Sequence, residues 1–168
     1  MPEDYEGPEG PDNLDEPPAF FPTEGISGES DEAGAPSLTE VQVEGVYRAE
    51  TNGQITQFVL VSDGTRKLPI LIGPFEAQSI AHVIDNERPD RPMTHDLMKT
   101  LLDRLDGSLE RVAIDDFWNT IYYAKMYIRR GKEELEIDAR PSDAIALALR
   151  FDAPILVADS ILNSALDD

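Results

Sequence analysis

Three short stretches hold most of the side chains that could do chemistry. In Ile137-Asp138-Ala139-Arg140-Pro141-Ser142-Asp143, two carboxylates flank one guanidinium. Carboxylate oxygens are hard ligands that share magnesium or manganese with water, and the planar arginine fork matches a phosphate. In Arg91-Pro92-Met93-Thr94-His95-Asp96, another Arg, a His and an Asp lie together. Such a group suits proton transfer, with Arg91 as a further phosphate contact. Gly73-Pro74-Phe75-Glu76 adds one more acid. The candidate catalytic residues are therefore His95, Asp96, Asp138, Arg140 and Asp143. The candidate phosphate contacts are Arg91 and Arg140, and the candidate metal ligands are Glu76, Asp138 and Asp143. Magnesium or manganese is the cofactor this chemistry would use, and no motif calls for an organic one.

Each residue also has an architectural reading. With Gly73 and Arg140 as N-caps, Pro74 and Pro141 take the first helical position. Glu76 and Asp143 then fall on the third, where an acid reaches back to the N-cap N–H and meets the positive helix end. Asp138 or Asp143 paired with Arg140 would hold a turn. Thr94 would cap a helix, with Asp96 in its first turn and His95 facing outward.

Periodicity outlines the elements that must place these residues. Strands are expected near Val41–Val46, at Ile55–Val61 and at Lys67–Ile72, with Asp63-Gly64 turning the hairpin. Ala77, Ile80, Ala81 and Ile84 give a helical stripe. A second helix is expected over Thr94–Leu105, with Leu97, Met98, Leu101, Leu102 and Leu105 on one side and Asp106-Gly107 ending it. Strands follow at Leu109–Ile114, Thr120–Ile128 and Glu133–Ile137, the run Asp115–Asn119 reading as a turn that carries Trp118. Ala144 to Leu149 is apolar throughout, so that helix must be buried nearly all round. Pro154–Val157 and Ser160–Leu166 make a last strand and helix. Residues 55–85 align without gaps on residues 122–152, with seven identities in 31 pairs. The fold expected is α+β: two β-β-β-α repeats around a curved, mostly antiparallel sheet, with a linking helix and a C-terminal short strand and helix.

Charge divides the chain in two. The net charge is −20 over 168 residues. Residues 1–38 hold eleven acids, seven Pro and five Gly with no Lys or Arg, leaving 23 acids against 14 bases over residues 39–168. The first segment reads as a disordered acidic tail whose apolar spot is Phe20-Phe21, and residues 39–168 as the folded domain. There is no Cys, which excludes disulfides and thiolate zinc sites. No leader of basic and apolar residues opens the sequence, and no run reaches the roughly 18 apolar residues of a membrane span. A soluble, cytoplasmic protein without membrane contact is the expectation. The acidity argues against the usual electrostatic footprint of a nucleic-acid binder.

Three blocks together resemble the bifunctional nuclease domain family: Leu68-Pro69-Ile70-Leu71-Ile72-Gly73-Pro74-Phe75-Glu76-Ala77, Arg91-Pro92-Met93-Thr94-His95-Asp96-Leu97-Met98, and Ile137 to Ala148. The match covers about residues 39–165. The resemblance implies an α+β domain from a family widespread in bacteria and found also in plants. It further implies hydrolysis of DNA and RNA, a nucleic-acid substrate and self-association into a homo-oligomer. Two functions stand side by side at this point. One is a nuclease, dependent on a divalent metal. The other is a non-catalytic regulatory or protein-binding domain whose motifs are structural, with the acidic tail or Trp118 meeting a protein partner.

Overall fold

The computed structural model describes residues 36–51 and 53–165. The expected acidic tail, Phe20-Phe21 included, lies outside the described residues as far as residue 35. In chain order the elements are β1 (Leu38–Thr51), β2 (Gln54–Ser62), β3 (Lys67–Ile72), α1 (Pro74–Ile84), α2 (Thr94–Arg104), β4 (Gly107–Trp118), β5 (Ile121–Arg130), β6 (Glu133–Ala139), α3 (Pro141–Phe151), β7 (Ile155–Ala158) and α4 (Asp159–Ser164). The fold is the α+β arrangement expected: two β-β-β-α units linked by α2 and closed by a short strand and helix.

The seven strands form one sheet in the order β3-β2-β1-β7-β4-β5-β6. Each unit contributes an antiparallel meander. β7 joins them, antiparallel to β1 and parallel to β4. The two units are thus arranged outward from β7, which leaves β3 and β6 at opposite edges. Helix α3 is the centre of the core. Ala144 to Ala148 are all fully buried, and the small alanines let the helix lie close to its neighbours. Burial of Ile145 and Leu147 contributes roughly 2 kcal/mol each. Val59, Val61, Leu68, Ile80, Ile114 and Leu162 complete the same core.

Several local expectations are corrected. Asp115 to Trp118 belong to β4 rather than to a turn. The turn is the pair Asn119-Thr120, both with positive φ (49° and 66°), a two-residue hairpin loop closed by Trp118 opposite Ile121. The α2 N-cap is Met93, not Thr94. At its other end Asp106 takes the left-handed conformation (φ 56°) while Gly107 already starts β4. The α2 stripe is split as well. Met98 and Leu102 pack on the core, whereas Leu97, Leu101 and Leu105 are exposed. His95, expected to face outward, is buried and only 6% exposed. Positions 95, 98 and 102 share one helix face, so burying that face turns the three leucines to solvent.

Candidate functional site

The site begins where β6 runs into α3. Arg140 is the N-cap of α3 with extended backbone, Pro141 opens the helix and Asp143 falls on its third residue. The Arg140 Nε donates to Asp143 Oδ2 at 2.6 Å, and its Nη2 donates to Asp143 Oδ1 at 3.1 Å. The same Nη2 reaches across to α1 and donates to Glu76 Oε1 at 2.9 Å. Glu76 holds the matching third position of α1, after Gly73 and Pro74. Neither helix has a side-chain cap bond at its N-cap. Glu76 and Asp143 instead share a grip on Arg140. A charged partner offers each carboxylate a stronger bond than a neutral N–H does. The expected reach-back does occur in α2, where Asp96 Oδ2 accepts from Met93 N–H at 2.9 Å.

From Asp143 the network continues inward. Its Oδ1 lies 3.1 Å from His95 Nε2, and His95 Nδ1 lies 2.8 Å from Ser79 Oγ. Burial is the largest influence on Asp143 and pushes its pKa up. The hydrogen bonds from Arg140 and His95 outweigh it, so the carboxyl sits below the usual aspartate range. An ionised Asp143 accepts only, so His95 Nε2 carries a hydrogen and donates to it, while Nδ1 meets the Ser79 hydroxyl, which can donate or accept. Arg140 is held protonated, first by its bonds to Asp143 and then by Glu76.

These side chains line a cleft of about 710 Å³. Phe75, Glu76 and Ser79 come from α1, Met93, Thr94, His95 and Met98 from α2 and the residue before it, and Ile137, Asp138, Ala139, Arg140 and Asp143 from the β6–α3 joint, with Met126 from β5 behind them. All three sequence motifs therefore converge. Asp138 is an exposed member of the cleft wall on β6. Two candidates stay out of it. Arg91 is exposed in the loop before α2. Asp96 turns away to bind Arg150 Nε at 2.6 Å. The Arg150 side chain is only 6% exposed and also donates to the Ala146 and Ser79 carbonyls. Burial acts to raise the Asp96 pKa, but Arg150 and the Met93 N–H outweigh it and lower it. This pair ties α2 to α3 and α1.

Among the described residues no group of three or more His, Asp or Glu is placed to hold a metal ion. Glu76 and Asp143 both bond Arg140, and Asp138 lines the same cleft from β6. As arranged, the three do not form such a group. Ser79 and Arg150 are hydrogen-bond partners of these residues that the motifs did not flag. Ser79 lies three residues after Glu76, on the same helix face, which is the one signal that pointed to it.

A model of the bifunctional nuclease domain matches residues 58–167. The chain belongs to the bifunctional nuclease domain family. An uncharacterized protein of Mycobacterium tuberculosis (strain H37Rv) is 37% identical over 128 residues, which cover 76% of each chain. Bifunctional nuclease 1 of Oryza sativa subsp. japonica is 30% identical over 93 residues, covering 54% of this chain and 28% of the rice protein. Bifunctional nuclease 2 of Arabidopsis thaliana is 27% identical over 101 residues, covering 58% of this chain and 31% of the plant protein. This member of the family thus corresponds to about a third of its plant relatives' length. Among its described residues no helix is long and apolar enough to cross a membrane.

Proposed function

We propose that the cleft hydrolyses phosphodiester bonds in DNA and RNA. The observation that carries this reading is the convergence of Arg140, Asp143, His95, Glu76 and Asp138 on one cleft from three separate motifs. Family membership and the plant relatives' names support it.

The roles follow from the network. Arg140 is 66% exposed at its side chain, so a phosphate oxygen can reach it and compete with its carboxylate partners. When it does, Asp143 keeps His95 as its remaining partner. The Ser79 hydroxyl rotates to accept from Nδ1, as a hydroxyl can both donate and accept. Asp138 takes a proton from the attacking water as the new P–O bond forms. His95 gives its proton to the leaving oxygen as the old P–O bond breaks. Arg140 stabilises the charge that develops on the phosphoryl oxygens.

The test is cleavage of end-labelled single-stranded DNA and RNA by the purified full chain. His95→Gln and Asp138→Asn are expected to lower kcat about 100-fold or more, the usual scale of positioned acid–base groups, with circular dichroism unchanged. Cleavage by both variants at the wild-type rate would sink the proposal.

A second reading rests on one observation. The chain Glu76–Arg140–Asp143–His95–Ser79 joins α1, α2 and α3, which is what a purely structural staple would do. On that reading the domain is a regulatory or protein-binding module. His95→Gln would then lower the melting temperature, and neither wild type nor variant would cleave nucleic acid.

A further inference from the structure

The cleft has a neighbour. Beside it lies a second cleft of about 530 Å³, walled by Leu71 at the end of β3 and by Phe117, Ile121 and Tyr122 of the β4–β5 hairpin. Arg140 lines both clefts. β3 stands at one edge of the sheet and the β4–β5 hairpin belongs to its other half, and both line this cleft. Next to this cleft stands Trp118, 73% exposed, with Phe117 and Ile121 also open to solvent and Phe117 packed on Tyr122 at 4.5 Å between ring centroids.

An exposed apolar tip on a strongly acidic chain requires an explanation. Proteins that hold nucleic acid by its backbone place many Lys and Arg along the strand and lose affinity steeply with salt. This chain has 14 basic residues against 34 acidic ones, and the two clefts have one guanidinium between them, that of Arg140. Stacking of bases on aromatic faces does not depend on net charge. In a duplex those faces are already stacked inside the helix, so only an unpaired strand can offer them.

We infer that the substrate is single-stranded nucleic acid, gripped by its bases on Phe117, Trp118 and Ile121, with the adjoining phosphate on Arg140. The inference rests on the nuclease reading of the adjacent cleft and specifies its substrate class. Arg140, shared by both clefts, is the element that couples base grip to phosphate position. The hairpin tip then decides which strands reach the chemistry.

Trp118 is the sole tryptophan of the chain, so it reports on itself. The full chain is titrated with a 12-nucleotide oligothymidylate, an abasic strand of equal length and a 12-base-pair duplex. Tryptophan fluorescence and the anisotropy of a labelled strand are followed, with strand integrity checked on a gel. The oligothymidylate is expected to quench Trp118 and to bind at least about 10-fold tighter than the abasic strand or the duplex. Its salt slope is expected near −1, that of one or two phosphates on a single strand. Trp118→Ala is expected to weaken binding about 10-fold to 100-fold, the effect of losing one stacked base, with circular dichroism unchanged.

Equal affinity for the abasic strand or the duplex overturns the inference, as does a steep salt slope. It is also overturned if Trp118→Ala leaves oligothymidylate affinity intact while changing the sedimentation coefficient. In that case the tip joins copies of the chain. Cleavage without discrimination between strands sinks this inference and spares the nuclease reading. Strand-selective binding without cleavage does the reverse.

Discussion

In the first copy of the repeat the strand-to-helix joint reads Ile72-Gly73-Pro74, and in the second it reads Ala139-Arg140-Pro141. Both joints have the same backbone plan: an extended N-cap, Pro at the first helical position and an acid at the third. What differs is the N-cap side chain. Gly73 has none, and a Cβ built there would press on the Glu76 carboxylate. Arg140 occupies the equivalent place in the other copy and joins the two acids. The two copies thus share a frame with two acids, and the second has a cation between them. The strand ends differ in the same sense. Leu68 and Ile70 of β3 are buried, while their counterparts Leu135 and Ile137 of β6 are exposed, Ile137 in the cleft wall. At the edge strand, one copy builds core and the other a cleft wall.

The largest effect should come from erasing that difference. Arg140→Gly gives the second joint the residue of the first. It is expected to lower kcat/KM on single-stranded DNA by about 100-fold to 1000-fold, the scale of removing one preorganised donor from a developing oxyanion. The folded state should survive, because a glycine N-cap is well tolerated. Full activity in Arg140→Gly would show that the asymmetry is not catalytic.

The two third-position acids sharpen the comparison through stability. Asp143 bonds to both Arg140 and His95, Glu76 to Arg140. Asp143→Asn is expected to cost about 2 kcal/mol at pH 7, as for a hydrogen bond to a charged group, and Glu76→Gln less than about 1 kcal/mol. The sign with pH follows from the lowered Asp143 pKa. Its contribution is present in full above the ordinary aspartate value of about 3.9 and is lost as pH falls through the lower folded value. Thermal melts from neutral pH into acid should therefore fall less steeply for Asp143→Asn than for wild type. Parallel curves would remove the physical basis for the His95–Asp143 pairing.

The hairpin turns supply a smaller contrast with the charges exchanged. Asp63 and Arg66 of the first copy correspond to Arg130 and Glu133 of the second. Asp63 pairs with Arg66 at 2.7 Å and accepts the Thr65 and Arg66 N–H groups, whose bonds bring its pKa down to about 2. Arg130 and Glu133 stand 3.8 Å apart in solvent. Asp63→Asn should lower the melting temperature at pH 7 measurably, and Arg130→Ala should leave it unchanged, as exposed pairs usually do. The Asp63 contribution fades as pH drops from about 4 toward 2.

Much of the frame was legible because it is written in local chemistry. Pro74 and Pro141 mark helix starts, Gly64 and Gly131 adopt positive φ in their turns, and the alternation of β2 and β3 survives in their burial. The repeat itself could be read by alignment. The site was legible as a set of residues but not as an arrangement. Whether Asp143 caps its own helix or binds Arg140 is settled by Glu76, 64 residues from Arg140 in the chain. Whether His95 faces solvent is settled by the packing of α1 and α3, which periodicity in α2 cannot reveal. Where Asp96 turns was not legible either, since a charged residue near a motif has to find a partner, and its partner Arg150 lies 54 positions away. The misplaced Trp118 came from turn chemistry hidden by Thr120, a β-branched residue in a conformation that favours glycine.

That hidden turn supplies the smallest and cleanest test of the comparison. The structure extends the repeat beyond the aligned region: Gly53 and Thr120 are equivalent positions in the two-residue loops of the β1–β2 and β4–β5 hairpins. Gly53 has φ 77° and Thr120 has φ 66°. Glycine enters this region without a Cβ clash, whereas a β-branched side chain there is strained by about 1 kcal/mol or more. The Thr120 hydroxyl does donate to the Asn119 carbonyl at 2.6 Å, but that bond is exposed and offsets little of the strain. Thr120→Gly, which restores the first copy's residue, is expected to stabilise the domain by about 1 kcal/mol and raise its melting temperature by about 3 °C. Because Thr120 also lines the cleft walled by Phe117 and Ile121, the variant separates two explanations of why a strained residue is kept. If the turn is more stable and oligothymidylate binds as before, the strain is incidental. If stability rises while oligothymidylate binding weakens, the second copy has traded turn stability for the shape of its binding tip, as it traded a buried edge strand for a cleft wall.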